Sequence, residues 1–175
     1  DLTTVPPVTG LPKLRYLGLA GNKLTSVQAL AGMRQLTELK VGSNQLTDYT
    51  PIASLTNLTT LSIGNNRSND ISMLRSLVNL EEATFSQMGL TNNAVQIFSY
   101  MPKLVTLSID FNDQISDLTP LAGLRQLQSL NFSKDRVADL TPLKQMTNLT
   151  DLSFSNAQVA NLAPLAGLTK LTSLN

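Results

Sequence analysis

The 175 residues carry 13 basic and 12 acidic side chains, a net charge of +1, and neither histidine nor cysteine. Charge this balanced and scattered lacks the basic footprint of a nucleic-acid binder, so nucleic acid is not expected as a partner. Without imidazole or thiol the common general base, the thiolate nucleophile, disulfides and most zinc sites are missing together; no catalytic residue, metal or cofactor is expected.

The opening segment, DLTTVPPVTGLPKL, lacks an initiator methionine and reads as the second half of a repeating unit. The closing LTSLN reads as the first strand of another. The expectation is therefore a piece of something longer, and no apolar stretch in it is long enough to cross a bilayer.

Between these ends the chain repeats. Units open at Leu14, Leu36, Leu58, Leu80, Leu104, Leu127, Leu149 and Leu171, at spacings of 22, 22, 22, 24, 23, 22 and 22. A recurring phrase keeps step with them: DYTPIASL, DLTPLAGL, DLTPLKQM and NLAPLAGL place Pro51, Pro120, Pro142 and Pro164 in one slot. A fixed period of this length is the signature of a solenoid, in which each unit buries its apolar row only against its neighbours.

In the unit from Leu36 to Leu58 the apolar residues Leu39 and Val41 alternate with Glu38, Lys40 and Gly42, which predicts a short strand with the second set on the open face. Beyond Asn44 the apolar period becomes three (Leu46, Tyr49, Ile52, Leu55), which suits 3₁₀ turns or extended backbone better than an α-helix. Proline, with fixed φ and no N–H, belongs at the start of such a turn. Strands of successive units would pair in parallel on a concave side.

Asn22, Asn44, Asn66 and Asn112 share the slot after the strand, where a side-chain amide can satisfy backbone groups left unpaired by the turn. They are expected to stack as a ladder. Met88, Asp135 and Ala157 interrupt it, and looser turns are expected there.

The unit from Leu80 to Leu104 has two extra residues and lacks the proline phrase. Its TNNAVQIFSYMP predicts a short α-helix near 92–101, started by Thr91 or Asn92 and stopped by Pro102. The next unit inserts a residue at NDQIS, which predicts a bulge after Asn112. Phe85, Met88, Phe98 and Phe111 read as filler beneath this irregular region.

The pattern LxxLxLxxNxL followed by TPLAxLxxL, from Leu14 onward, resembles the leucine-rich repeats of internalins and related surface proteins of Gram-positive bacteria. The fold expected is an α/β leucine-rich-repeat solenoid over 1–175 as one domain: a curved, concave parallel sheet with a mostly 3₁₀ or extended convex side. The resemblance implies a non-catalytic module that is extracellular or associated with a bacterial cell wall. It would bind a protein ligand, such as a host or cell-surface protein, through the concave face. The 22-residue spacing is also shared with intracellular repeat proteins that act as scaffolds or enzyme regulators, which keeps a cytoplasmic alternative open.

Strand alternation puts mostly small polar residues on the concave face. Tyr16, Glu38, Lys40, Glu82, Asp110, and at the strand exit Phe111 and Lys134, are the candidate contacts. Glu38, Glu82, Asp110 and Asp151 read as solvated carboxylates rather than a catalytic pair. Sequons at Asn57, Asn66, Asn131 and Asn148 read as by-products of an Asn- and Thr-rich repeat.

Overall fold

The computed structural model describes residues 1–6, 8 and 10–175. Among them eight short strands form one open sheet: β1 Tyr16–Gly18, β2 Glu38–Lys40, β3 Thr60–Ser62, β4 Glu82–Thr84, β5 Thr106–Ser108, β6 Ser129–Asn131, β7 Asp151–Ser153 and β8 Ser173–Leu174. They lie in chain order and every neighbouring pair is parallel, the arrangement of a leucine-rich-repeat solenoid.

Register follows the repeat. Tyr16 pairs with Glu38, Glu38 with Thr60 and Thr60 with Glu82; across the longer units Glu82 pairs with Thr106 and Thr106 with Ser129. The extra residues therefore lie wholly outside the strands. This follows from the period-two pattern, since a one-residue slip would turn a buried leucine out to water.

The middle residue of each three-residue strand points inward. Leu39, Leu61, Leu107, Leu130 and Leu152 are buried, and Val41, Ile63, Phe85, Ile109 and Phe132 form the next row beneath the sheet. Each fully buried leucine contributes about 1.5–3 kcal/mol, available only because adjacent coils supply the other wall. In β4 the leucine is replaced by Ala83, while the next row carries Phe85 in place of an aliphatic residue. Phe85 meets Phe98 edge to face, with centroids 5.3 Å apart at 81°. A small residue and a large one thus exchange places, and the core stays filled.

The convex side is mostly 3₁₀ turns: Gln28–Leu30, Ser72–Ser76, Gln96–Tyr100, Thr119–Leu121, Thr141–Gln145 and Ala163–Leu165. Pro120, Pro142 and Pro164 stand at their second positions, and Pro51 does the same in α1, Thr50–Ala53. The polar residue opening the phrase has its own task. The Thr50, Thr119 and Thr141 N–H groups donate to Asp48, Asp117 and Asp139, each at 2.8 Å, and the Ala163 N–H donates to Asn161 at 2.9 Å. Each is an Asx turn that presets the chain for the proline behind it.

Three expectations are corrected. The segment near 92–101 is α-helical only over α2, Asn92–Val95, and continues as the 3₁₀ turn Gln96–Tyr100. The reason lies in its apolar spacing: Val95, Phe98 and Met101, all buried, recur every third residue, a 3₁₀ period. Nor is that helix alone, because α1 makes a second α-turn, with the Ala53 N–H bonded to the Tyr49 carbonyl. Finally, the interrupted coils turn as tightly as the others. Gln87, Lys134 and Asn156 have φ of 55°, 64° and 59°, against 54° at Ser43 and 55° at Asn65.

Candidate functional site: the concave face

Parallel strands lift their first and third residues onto the concave face, and two side-chain groups stand out there. At the β1–β2 end the Tyr16 ring lies over Gly18, whose missing Cβ leaves room for it. Lys40 Nζ sits 5.8 Å from the Tyr16 ring centroid and 2.8 Å from Glu38 Oε1. Its bond to Glu38, and then the charge of Glu38, hold the Lys40 ammonium above its usual range. Tyr16, Glu38 and Lys40 thus form one cluster, with Tyr16 half exposed.

The second group lies at the exits of β5 and β6. Lys134 Nζ stands 4.3 Å above the centre of the Phe111 ring, a cation–π pair at the edge of the sheet. Phe111 is 47 % exposed, which corrects its reading as core filler; Phe85, Met88 and Phe98 are buried. Phe111 and Lys134 both occupy the left-handed region, with φ of 59° and 64°. Side chains other than those of Gly, Asn and Asp are strained in that region by about 1–2 kcal/mol. The turn throws the Phe111 side chain outward.

Between these groups the face is hydroxyl-rich. Ser86 and Ser108 both donate to Asp110 Oδ1, Asn131 donates to Ser108 Oγ at 3.4 Å, and Ser133 and Ser153 share a 2.9 Å bond. Asp110 is therefore spent on its neighbours, whereas Glu82 stands exposed between the two groups. Asp151 accepts from the Thr150 hydroxyl at 2.7 Å.

Behind the exit edge runs the asparagine column. Asn44 Oδ1 accepts the Leu24 N–H, and its amide donates to the carbonyls of Val41 in its own coil and Leu19 in the coil before. Asn66 repeats this with the Leu46 N–H and the carbonyls of Ile63 and Val41. Asn112 accepts two N–H groups, from Met88 and Leu90, and donates to Phe85 and Ile109. Asn22 serves the Leu2 N–H and the Leu19 carbonyl.

A second amide column escaped the sequence reading. In the position before four of the opening leucines, Gln35 donates to Leu11 O, Asn57 to Arg34 O, Asn79 to Thr56 O and Asn148 to Arg125 O. Lys103 and Lys170 extend it by donating to Asn79 and Asn148. Mixed residue types hid the column; the fixed offset from the leucine was the available signal. The sequon amides of Asn57, Asn66, Asn131 and Asn148 are all engaged in these bonds.

Family profiles agree with this geometry. Residues 6–46 match a leucine-rich-repeat profile, and residues 34–76 match a second one, for two-copy leucine-rich repeats. The chain is a leucine-rich-repeat protein, built on a fold that serves protein interaction. Within that class it is internalin-like. A solved internalin (InlF) of Listeria monocytogenes is 32% identical over all of this chain and 50% of its own, with a TM-score of 0.89. A leucine-rich-repeat protein of Leptospira interrogans is 30% identical over all of this chain and 46% of its own, at 0.90. Internalin C2 of Listeria monocytogenes, 24% identical over 91% of this chain and 79% of its own, shares the fold at 0.71. The chain spans about half the length of the first and second of these structures. Comparison with curated proteins finds no match. No helix among the described residues is long and apolar enough to cross a membrane.

Proposed function

We propose that this chain is the binding region of a secreted or cell-wall-associated bacterial protein, non-catalytic, and that it holds a protein partner against its concave sheet. The observation that carries this reading is the Phe111–Lys134 pair. A half-exposed aromatic ring in a left-handed turn serves no core, and exposed aromatic and cationic side chains are what interfaces use as anchors. Tyr16 with Lys40 and Glu38 forms a second anchor, with Glu82 and the hydroxyl row between them as a polar, hydrated stretch. The likeness to an internalin over the whole chain supports a surface location, and a host or cell-surface protein is the kind of partner that location offers. The repeats of 1–175 act as one binding domain in this reading.

Two measurements test it. Protease shaving of intact cells that express the native protein releases repeat peptides without lysis; release only after lysis points instead to a cytoplasmic scaffold. Against the partner so located, Phe111→Ala weakens binding at least tenfold, about 1.4 kcal/mol or more, while the thermal midpoint holds. Unchanged affinity would remove the concave exit edge from the interface.

A further inference from the structure

Asp135 occupies the slot that asparagine fills in the ladder coils, and it is only 2 % exposed. It reproduces the acceptor half of the asparagine role: the Asn112 N–H donates to its Oδ1 at 2.7 Å. Its Oδ2 is buried without a hydrogen-bond partner. In the ladder coils the corresponding position is an NH₂ that donates to two carbonyls, one three residues back and its equivalent in the preceding coil. For Asp135 the same register designates the carbonyls of Phe132 and Ile109. An ionised Oδ2 is an acceptor aimed at acceptors; a carboxyl O–H in its place is a donor.

Among the described residues no cation pairs with this carboxyl. The ion pairs among the described residues are Lys23–Asp1 and Lys40–Glu38. Lys134, next in sequence, keeps its ammonium over the Phe111 ring, and Arg136 is exposed. From the preceding coil come two further negative groups, Asp110 and Asp113, and from the following coil Ala157, which has no charge.

We propose that the folded protein carries Asp135 as the neutral acid, its O–H donating into the ladder where other coils use an asparagine amide. Its ionisation then releases the latch at Oδ2, the O–H bond to the carbonyls, and so disturbs the two turns that set Phe111 and Lys134 while Oδ1 keeps the Asn112 N–H. Asn112, whose N–H the carboxyl holds, follows Phe111 in the chain, and Asp135 itself follows Lys134. Any effect on partner binding rests on the reading of that pair as a contact; the titration does not.

Burial raises the Asp135 carboxyl to about 8, with Asp110 and Asp113 adding to the rise and the Asn112 N–H opposing it. An unfolded aspartate titrates near 3.9. Between those values the folded chain holds a proton that the unfolded chain has lost. Stability therefore falls as pH rises through this window and levels off above about 8.

The test is a ¹³C-carboxyl NMR titration of the wild-type chain without partner. Expected are an Asp135 midpoint near 8 and backbone amide signals of Phe111 and Lys134 that move with that midpoint. Asp135→Asn removes that movement, and relative to it the wild-type unfolding constant rises about tenfold per pH unit between roughly 4 and 8. A midpoint below about 5, or parallel stability profiles for the two proteins, overturns the neutral acid. Phe111 and Lys134 signals that ignore the Asp135 titration overturn the latch.

Discussion

The coils carrying Asn44 and Asn66 and the coils carrying Asn112 and Asp135 make the same turn by different chemistry. In the first pair the units are 22 residues long and glycine sits at the sheet exit, where a Cβ on Gly64 would come within 2.7 Å of the Ser86 carbonyl. In the second pair the units are 23 and 22 residues long and follow the 24-residue unit, Asp110 and Ser133 replace the glycines, and Phe111 and Lys134 replace Ser43 and Asn65 in the left-handed slot. Strand register and turn dihedrals are nonetheless preserved. What the solenoid conserves is the backbone path through the sheet and exit turn: the two extra residues of the 24-residue unit go to the convex side, the one extra residue of the next unit falls between Asn112 and Ile115 just past the turn, and chemical novelty collects at the exit edge.

The sharpest way to break the comparison is to empty the irregular core. Ala83 with Phe85 fills the space that Leu61 with Ile63 fills one coil earlier, and Phe98 of the longer convex segment closes it from below. Phe85→Ala is expected to cost about 3–5 kcal/mol, read as the change in urea midpoint. Ala83→Leu in that variant should recover part of the loss, because it restores the leucine of the regular coils. No recovery would mean that Phe85 and Phe98 form a separate cluster rather than a redistribution of the same volume.

The regular coils were legible because their information is periodic: leucines at fixed offsets give the strands, the proline phrase gives the convex turns and the recurring asparagine gives the ladder slot. Two kinds of feature were not legible. The convex segment of the long unit offered both helix-start residues and a three-residue apolar period, and only packing decided between them. At the exit edge, Phe111 looked like filler by type and like a contact by position, and only the left-handed turn that expels it decides between the two. Asp135 looked like a lost ladder residue, yet its carboxyl fills the slot. Of the candidate contacts, Tyr16, Glu38 and Lys40 lie together and Phe111 pairs with Lys134, a grouping across coils that single-residue reading does not supply.

A smaller effect separates the two kinds of ladder residue. Asn112 satisfies two backbone N–H groups of the preceding coil where Asn44 satisfies one, and Asn112 is wholly buried. Removing a buried partner costs about 1–3 kcal/mol, so Asn112→Ala should fall at the upper end of that range and Asn44→Ala toward the lower. Hydrogen exchange provides the local check: Met88 and Leu90 amides lose protection together in the first variant, and Leu24 alone in the second.

The smallest effect expected comes from the convex side, where the carboxylates behave in the opposite sense to Asp135. The Thr141 hydroxyl and then its N–H hold the Asp139 carboxyl below the usual carboxylate range, and Thr50 and Ser72 do the same for Asp48 and Asp70. A depressed acid contributes stability that is present above the unfolded pKa and is lost as pH falls through the lower, folded value. The window thus lies at the acid end, below that in which Asp135 acts. Because these side chains are solvent-exposed, screening keeps each contribution small. Asparagine can close the same Asx turn without a charge, as Asn161 does before Ala163. Asp139→Asn should therefore leave the thermal midpoint at neutral pH nearly unchanged and flatten its decline only in acid. If the variant loses stability equally at every pH, the ionised carboxylate matters through something other than the turn, and the DxTP phrase needs a different physical reason than the one drawn from these bonds.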